Sequence, residues 1–132
     1  MIKTCYFDAS AVVKVVFREP GSDRVIEYLG KNGLVYTTIV CFVEALGVLK
    51  RKYERNQTSH EEYLTSCAIL MGQVQDHYIE IDEKVKLWDP AIFSQVEEVA
   101  KLYCLDVSDA FQVIALKTGC LSPFNLDDAL FG

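Results

Sequence analysis

Apolar residues fall in short blocks divided by charged and small residues, and the period within each block assigns an element. Cys5-Tyr6-Phe7 follows Lys3 and ends abruptly at Asp8, as a buried first strand does. Ala11 to Phe17 has the β-branched content of a strand. Ser10 nevertheless offers an N-cap and Glu19-Pro20-Gly21 a stop, so a short helix is expected. A second helix is expected from Ser22 to about Leu29, closing at Gly30. Beyond the Lys31-Asn32-Gly33 turn, Leu34-Val35-Tyr36 reads as the second strand. Ile39, Phe42, Val43, Leu46, Leu49 and Tyr53 then recur at helical spacing, giving a long amphipathic helix to about Arg55. Ser59 and Glu62 form a capping-box pattern that opens a helix through about Gln75. Tyr78 to Ile81 is a third strand. Ala91 to Leu102 is helical, with Pro90 well placed at its start. Val107 to Lys117 is a further helix closed by Gly119, and Cys120-Leu121 is a candidate for a short fourth strand.

Short apolar strands alternating with helices argue for a parallel sheet covered on both faces. The expected architecture is α/β: a three-layer α/β/α arrangement with a central, mostly parallel sheet, in one domain over residues 1–132. In such folds ligands bind at the carboxyl ends of the strands.

Composition narrows the class. The chain carries 13 Lys+Arg against 19 Asp+Glu, a formal net charge of −6, with 51% hydrophobic and 24% charged residues. That balance is globular rather than disordered, and at this length a single core forms. No apolar run approaches the roughly 20 residues that span a bilayer. Met1-Ile2-Lys3-Thr4-Cys5 lacks the pattern of a secretory signal, so a cytoplasmic protein with no membrane contact is expected. Cys5, Cys41, Cys67, Cys104 and Cys120 are widely spaced among apolar neighbours, with no C-x-x-C pair. They read as buried thiols in a reducing compartment. His60 and His77 have no companions at ligand or triad spacing, which disfavours His–metal and Ser-His-Asp chemistry.

The informative residues are acids where the local pattern asks for something apolar or neutral. Asp8 closes the first strand at the ligand-binding edge, or caps the helix that follows. Glu44 is the one charge in Ile39 to Leu49 (IVCFVEALGVL). An unpaired buried carboxylate costs several kcal/mol, so there it needs a cation or strong hydrogen bonds, unless it lies on a polar stripe facing water. Asp109 stands where a helix begins in Asp106-Val107-Ser108-Asp109, and the helix dipole alone would favour an acid there. Asp127 and Asp128 could be solvated charges near the C-terminus. Taken together, Asp8, Glu44 and Asp109 can point to one edge of a parallel sheet. Converging carboxylates repel and raise each other's pKa unless a cation is present. A hard divalent ion such as Mg²⁺ or Mn²⁺ removes the repulsion and leaves room for water and phosphate.

These residues resemble a known family. Tyr6-Phe7-Asp8-Ala9-Ser10-Ala11 with Lys14 and Glu19-Pro20-Gly21-Ser22 is similar to the opening of PIN domains, particularly VapC-type toxins. Thr38-Ile39-Val40 through Glu44-Ala45-Leu46 is similar to the family's second acidic motif. Leu105 to Ala115, centred on Asp109-Ala110, is similar to the third. The likeness runs in order from residue 2 to 130. It implies a metal-dependent ribonuclease with Asp8, Glu44 and Asp109 as metal-binding and catalytic acids and Mg²⁺ or Mn²⁺ as cofactor. A fourth acid of the family lies in a Thr-x-Asp-x-x-Leu segment; the nearest match here aligns Asn125 with the threonine and Asp127 with the acid. That segment departs from the pattern. Leu121-Ser122-Pro123-Phe124 is irregular, and the chain stops at Gly132, where the family adds a helix and a strand, so 121–132 is atypical. Ser10 would stand beside the metal on the family reading and cap a helix on the plain one. The resemblance also implies an antitoxin partner and a homodimer.

The expected reaction is hydrolysis of an RNA phosphodiester by a metal-activated water. A net charge of −6 opposes binding of a polyanion, so local cations must compensate. Lys14 and Arg18 near the first acid, and Arg51 within Lys50-Arg51-Lys52, are the candidate RNA contacts; a basic helix end favouring its own dipole explains the latter equally. A haloacid-dehalogenase-type phosphatase would need an Asp where Ser10 stands. A receiver domain would need an early acidic pair, and a ribonuclease-H-like nuclease would need hairpins after the first acid. The rival from another class is a PIN-fold module that binds RNA or protein without catalysis.

Overall fold

The computed structural model describes residues 4–31, 34–119 and 122–123 of the chain. In chain order these form β1 (Thr4–Tyr6), α1 (Ala9–Val16), α2 (Ser22–Lys31), β2 (Leu34–Thr37) and α3 (Ile39–Glu54). There follow α4 (His60–Gln75), β3 (Ile79–Ile81), α5 (Pro90–Tyr103), α6 (Val107–Gly119) and β4 (Ser122–Pro123). The fold is mixed α/β, with a small parallel sheet in the order β3-β2-β1-β4. From β1 the chain steps outward to β2 and β3, then returns to place β4 on the other side of β1. The strand order therefore reverses at β1.

Alternation along the strands sends Cys5, Phe7, Val35 and Ile79 into one buried cluster with Val12 of α1, Val25 of α2, Phe42 of α3 and Leu70 of α4. Phe7, Val12, Val25, Leu70 and Ile79 are wholly removed from solvent. Tyr6, Tyr36 and Glu80, mutual register partners across three strands, alternate to the opposite side. A second cluster joins Val85, Val96, Ala110, Phe111, Ile114 and Ala115, with Val40 of α3 packed against it. Val40 thus links the α5–α6 pair to the first turn of α3.

The helix ends follow local chemistry. Ser59 and Glu62 form the expected capping box of α4, and Asp89 caps α5 ahead of Pro90. Asn56, His77 and Cys104 adopt positive φ just past α3, α4 and α5. There the chain folds back through Gln57 N–H to Lys52 O, Tyr78 N–H to Gln73 O and Leu105 N–H to Ala100 O, closures that favour glycine or asparagine at the left-handed position. Between α1 and α2, Gly21 at φ 96° makes a turn that a side chain would strain.

Three expectations change. Asp8, not Ser10, caps α1: its Oδ1 accepts the Ala11 N–H at 2.9 Å, and Ser10 lies exposed inside the helix. Two good capping residues stood two positions apart, and the end of β1 at Tyr6 selects the earlier one. Of the cysteines expected to be buried, Cys104 is exposed, because it occupies the turn after α5, Cys67 is half-buried, and Cys120 lies outside the described residues. The strand expected at Cys120-Leu121 lies outside the described residues; the described strand is Ser122–Pro123, at the sheet margin where a proline is tolerated.

Candidate functional site

Parallel strands share one carboxyl edge, and at this edge α1 and α3 both begin. Phe7 extends β1 by donating its N–H to Tyr36 O at 2.8 Å, and Asp8 follows as the cap of α1, with an exposed side chain. Thr37 ends β2 and donates its hydroxyl to Phe7 O at 2.8 Å. Thr38 caps α3 by accepting the Cys41 N–H at 3.1 Å.

Tyr6 ties these two starts together. Its phenol, 2% exposed, donates to Thr38 Oγ1 at 3.2 Å and lies 3.1 Å from Cys41 Sγ. Burial pushes the phenol well above its ordinary pKa, and the Cys41 hydrogen bond adds to the rise, so the hydroxyl stays protonated as a donor. The end of β1 and the first turn of α3 are therefore held by one buried polar network. Sequence reasoning singled out neither Tyr6 nor Thr38 for this task; the signal was a hydroxyl residue between β2 and an apolar helical run.

Glu44 stands one turn beyond Val40 on α3, half-buried. Among the described residues it has no ion-pair or hydrogen-bond partner. Asp109 is exposed in the first turn of α6, directly before the buried Ala110. Ala110 belongs to the cluster on which Val40 packs. Comparison with protein-family models finds no match, and no curated protein matches the sequence.

Asp8, Glu44 and Asp109 offer only hard oxygen donors, the type that suits Mg²⁺ or Mn²⁺. They are not a preassembled cage: among the described residues, no three His, Cys, Asp or Glu side chains are grouped so as to hold a metal ion. Three carboxylates without a countercharge repel one another. Asn125 and Asp127, the remaining expected members, lie outside the described residues.

The candidate RNA contacts fare differently from one another. Lys14 is half-buried and pairs with Glu19 at 3.1 Å, while Lys52 reaches the other Glu19 oxygen at 4.0 Å and covers the Phe17 ring. Arg18 pairs with Asp23 at the surface. Arg51 is exposed, but α3 carries it seven residues past Glu44, about 10 Å along the axis and away from the carboxyl edge. Lys50 pairs with Glu54 at 3.2 Å on the same last turns. The basic cluster thus sits where the helix dipole favours cations. His77, at the left-handed turn after α4, lies 3.0 Å from Glu80.

Proposed function

We propose that the chain is a PIN-like, three-layer α/β/α endoribonuclease, dependent on Mg²⁺ or Mn²⁺, that hydrolyses RNA phosphodiester bonds. One observation carries the reading. The order of an all-parallel sheet reverses at β1, Asp8 stands at that carboxyl end, and Glu44 lies on α3, which starts at the same edge; Asp109 joins them by the resemblance of its motif. Open α/β sheets bind ligands at such a point. The half-buried Glu44 adds support, since a carboxylate in an apolar helix segment, with no cation beside it among the described residues, suits a ligand that supplies one.

Asp8, Glu44 and Asp109 would hold the ion, with Asp127 as a further donor. A divalent cation there lowers the pKa of a bound water and polarises a phosphoryl oxygen. The protein supplies position. Asp8 gives one oxygen to the α1 cap, which fixes its carboxylate at the strand end. The Tyr6–Thr38 bond fixes the start of α3 relative to that strand and so sets the reach of Glu44. The toxin role, a cognate antitoxin and a homodimer rest on the resemblance of the three acidic motifs to VapC-type PIN domains.

A second reading, a PIN-fold module binding RNA or protein without catalysis, draws on the lack of a ready trio of ligands among the described residues. The test incubates purified protein with mixed RNA in Mn²⁺ or Mg²⁺, with EDTA and Asp8→Asn controls. Cleavage lost in both controls is the expected result. Cleavage surviving both would mark a contaminant, and absence of cleavage of any RNA would favour the binding module.

A further inference from the structure

We propose that Trp88, with Lys86 beside it, is a stacking platform for an unpaired RNA base next to the acidic edge. The inference rests on the nuclease reading for its substrate class.

The segment between β3 and α5 alternates. Val85 is buried and Leu87 half-buried in the cluster of α5 and α6, whereas Lys86 and Trp88 are exposed. The segment leaves β3 at the carboxyl edge, where Asp82 donates its N–H to Thr37 O at 2.7 Å, directly before the cap of α3. Its buried residues share their cluster with Ala110 and Val40, the neighbours of Asp109 and Glu44 in sequence and along the helix. The outward-facing pair is thus anchored to the elements that carry two of the three acids.

Trp88 is 77% exposed, the most exposed large apolar side chain among the described residues. A ring in that place, just before the Asp89 cap, ordinarily staples onto the residue four positions into the helix, here Phe93. Phe93 is itself 48% exposed, so a staple leaves most of the indole in water. Lys86 Nζ lies over the ring, 5.8 Å from its centroid; being exposed, this cation can leave that face to an incoming base and pair with its phosphate. Two of the three nearby acids are turned to the backbone: Asp82 accepts the Lys84 N–H at 2.9 Å, and Asp89 the Ala91 N–H at 3.0 Å. Glu83 is the third. A base offers a π-face to the indole only when it is unpaired, so this surface selects single strands over duplex.

Trp88 is the one tryptophan in the sequence, so intrinsic fluorescence reports on this position without labelling. The full chain is titrated in EDTA, which suppresses metal-dependent cleavage, with a short single-stranded oligouridine and with a duplex of equal phosphate content. Binding is followed in parallel by anisotropy of the labelled RNA. The expected result is saturable quenching by the single strand, little by the duplex, and an affinity loss of about tenfold in Trp88→Ala that Trp88→Phe largely restores. Lys86→Gln should lower the salt dependence by about one phosphate contact. Binding without a tryptophan response, equal response to duplex, or no RNA binding would each overturn the platform. So would a concentration-dependent emission shift without RNA, which marks a protein partner. Quenching with no Mn²⁺-dependent cleavage would instead overturn the nuclease reading and leave the platform standing.

Discussion

Replacing Asp8 by Asn removes a charge while keeping an oxygen where the Ala11 N–H needs one; replacing it by Ala removes both. The cap bond is 2.9 Å long and serves an eight-residue helix whose Ala11, Val12 and Val13 are buried. Asn caps about as well as Asp, and loss of a capping side chain to Ala costs about 1 kcal/mol. The charge itself contributes about 0.3–1 kcal/mol at a helix start, toward the low end at an exposed position. Asp8→Asn should therefore lose a few tenths of a kcal/mol, and Asp8→Ala about 1–1.5 kcal/mol, or roughly 4–6 °C in Tm for a chain this size. Urea unfolding followed by circular dichroism measures both. On the nuclease reading, Mn²⁺-dependent RNA cleavage falls by orders of magnitude in each variant, although only one is substantially destabilised. Two results would refute the reasoning: equal destabilisation of the two variants, which removes the cap from the account, or undiminished cleavage by a folded Asp8→Asn protein.

Thr38→Ala deletes the cap of α3 and leaves the buried Tyr6 hydroxyl only the weaker Cys41 Sγ as partner, so it should cost about 1.5–3 kcal/mol in urea unfolding. Tyr6→Phe should cost less, about 1 kcal/mol, because Thr38 keeps its bond to Cys41 N–H. Cys104→Gly should stabilise by about 0.5–1 kcal/mol, since φ is 53° there and glycine adopts that conformation without strain; thermal unfolding checks it. The backbone and hydroxyl of Ser59 hold the Glu62 carboxyl below its ordinary pKa. The stability it adds to α4 is therefore present above the ordinary glutamate range and lost as pH falls through the folded value. Urea midpoints of wild type against Glu62→Gln should converge as pH drops through that interval, and curves that stay parallel would contradict the sign.

Elements with strong periodicity and chemical punctuation were legible in the sequence: α4 from its capping box, α5 from Pro90, and α3 from its apolar spacing. The start of α1 was not, because Asp8 and Ser10 are both competent caps and only the end of β1 decides between them. Lys14 read as a phosphate contact because Glu19, five residues on, is not a helical neighbour; the Gly21 turn and α3 bring Glu19 between Lys14 and Lys52. The basic run containing Arg51 was visible as composition, but its distance from the acids follows from the length of a continuous helix. That Asp8 follows β1 and that Glu44 lies on the helix after β2 followed from the alternation of elements. Their side-chain grouping did not, since it depends on rotamers and countercharge that no spacing encodes. Trp88 drew no notice, although the alternation Val85-Lys86-Leu87-Trp88 already held the signal.

The margins of the sheet bear on how the protein behaves when crowded. At one margin β3 is three residues long, and at the other β4 is two, one of them a proline with no amide hydrogen to offer. At the β3 margin an incoming chain finds only three consecutive residues to register against, so growth into stacked fibrils by strand addition is blunted on that side.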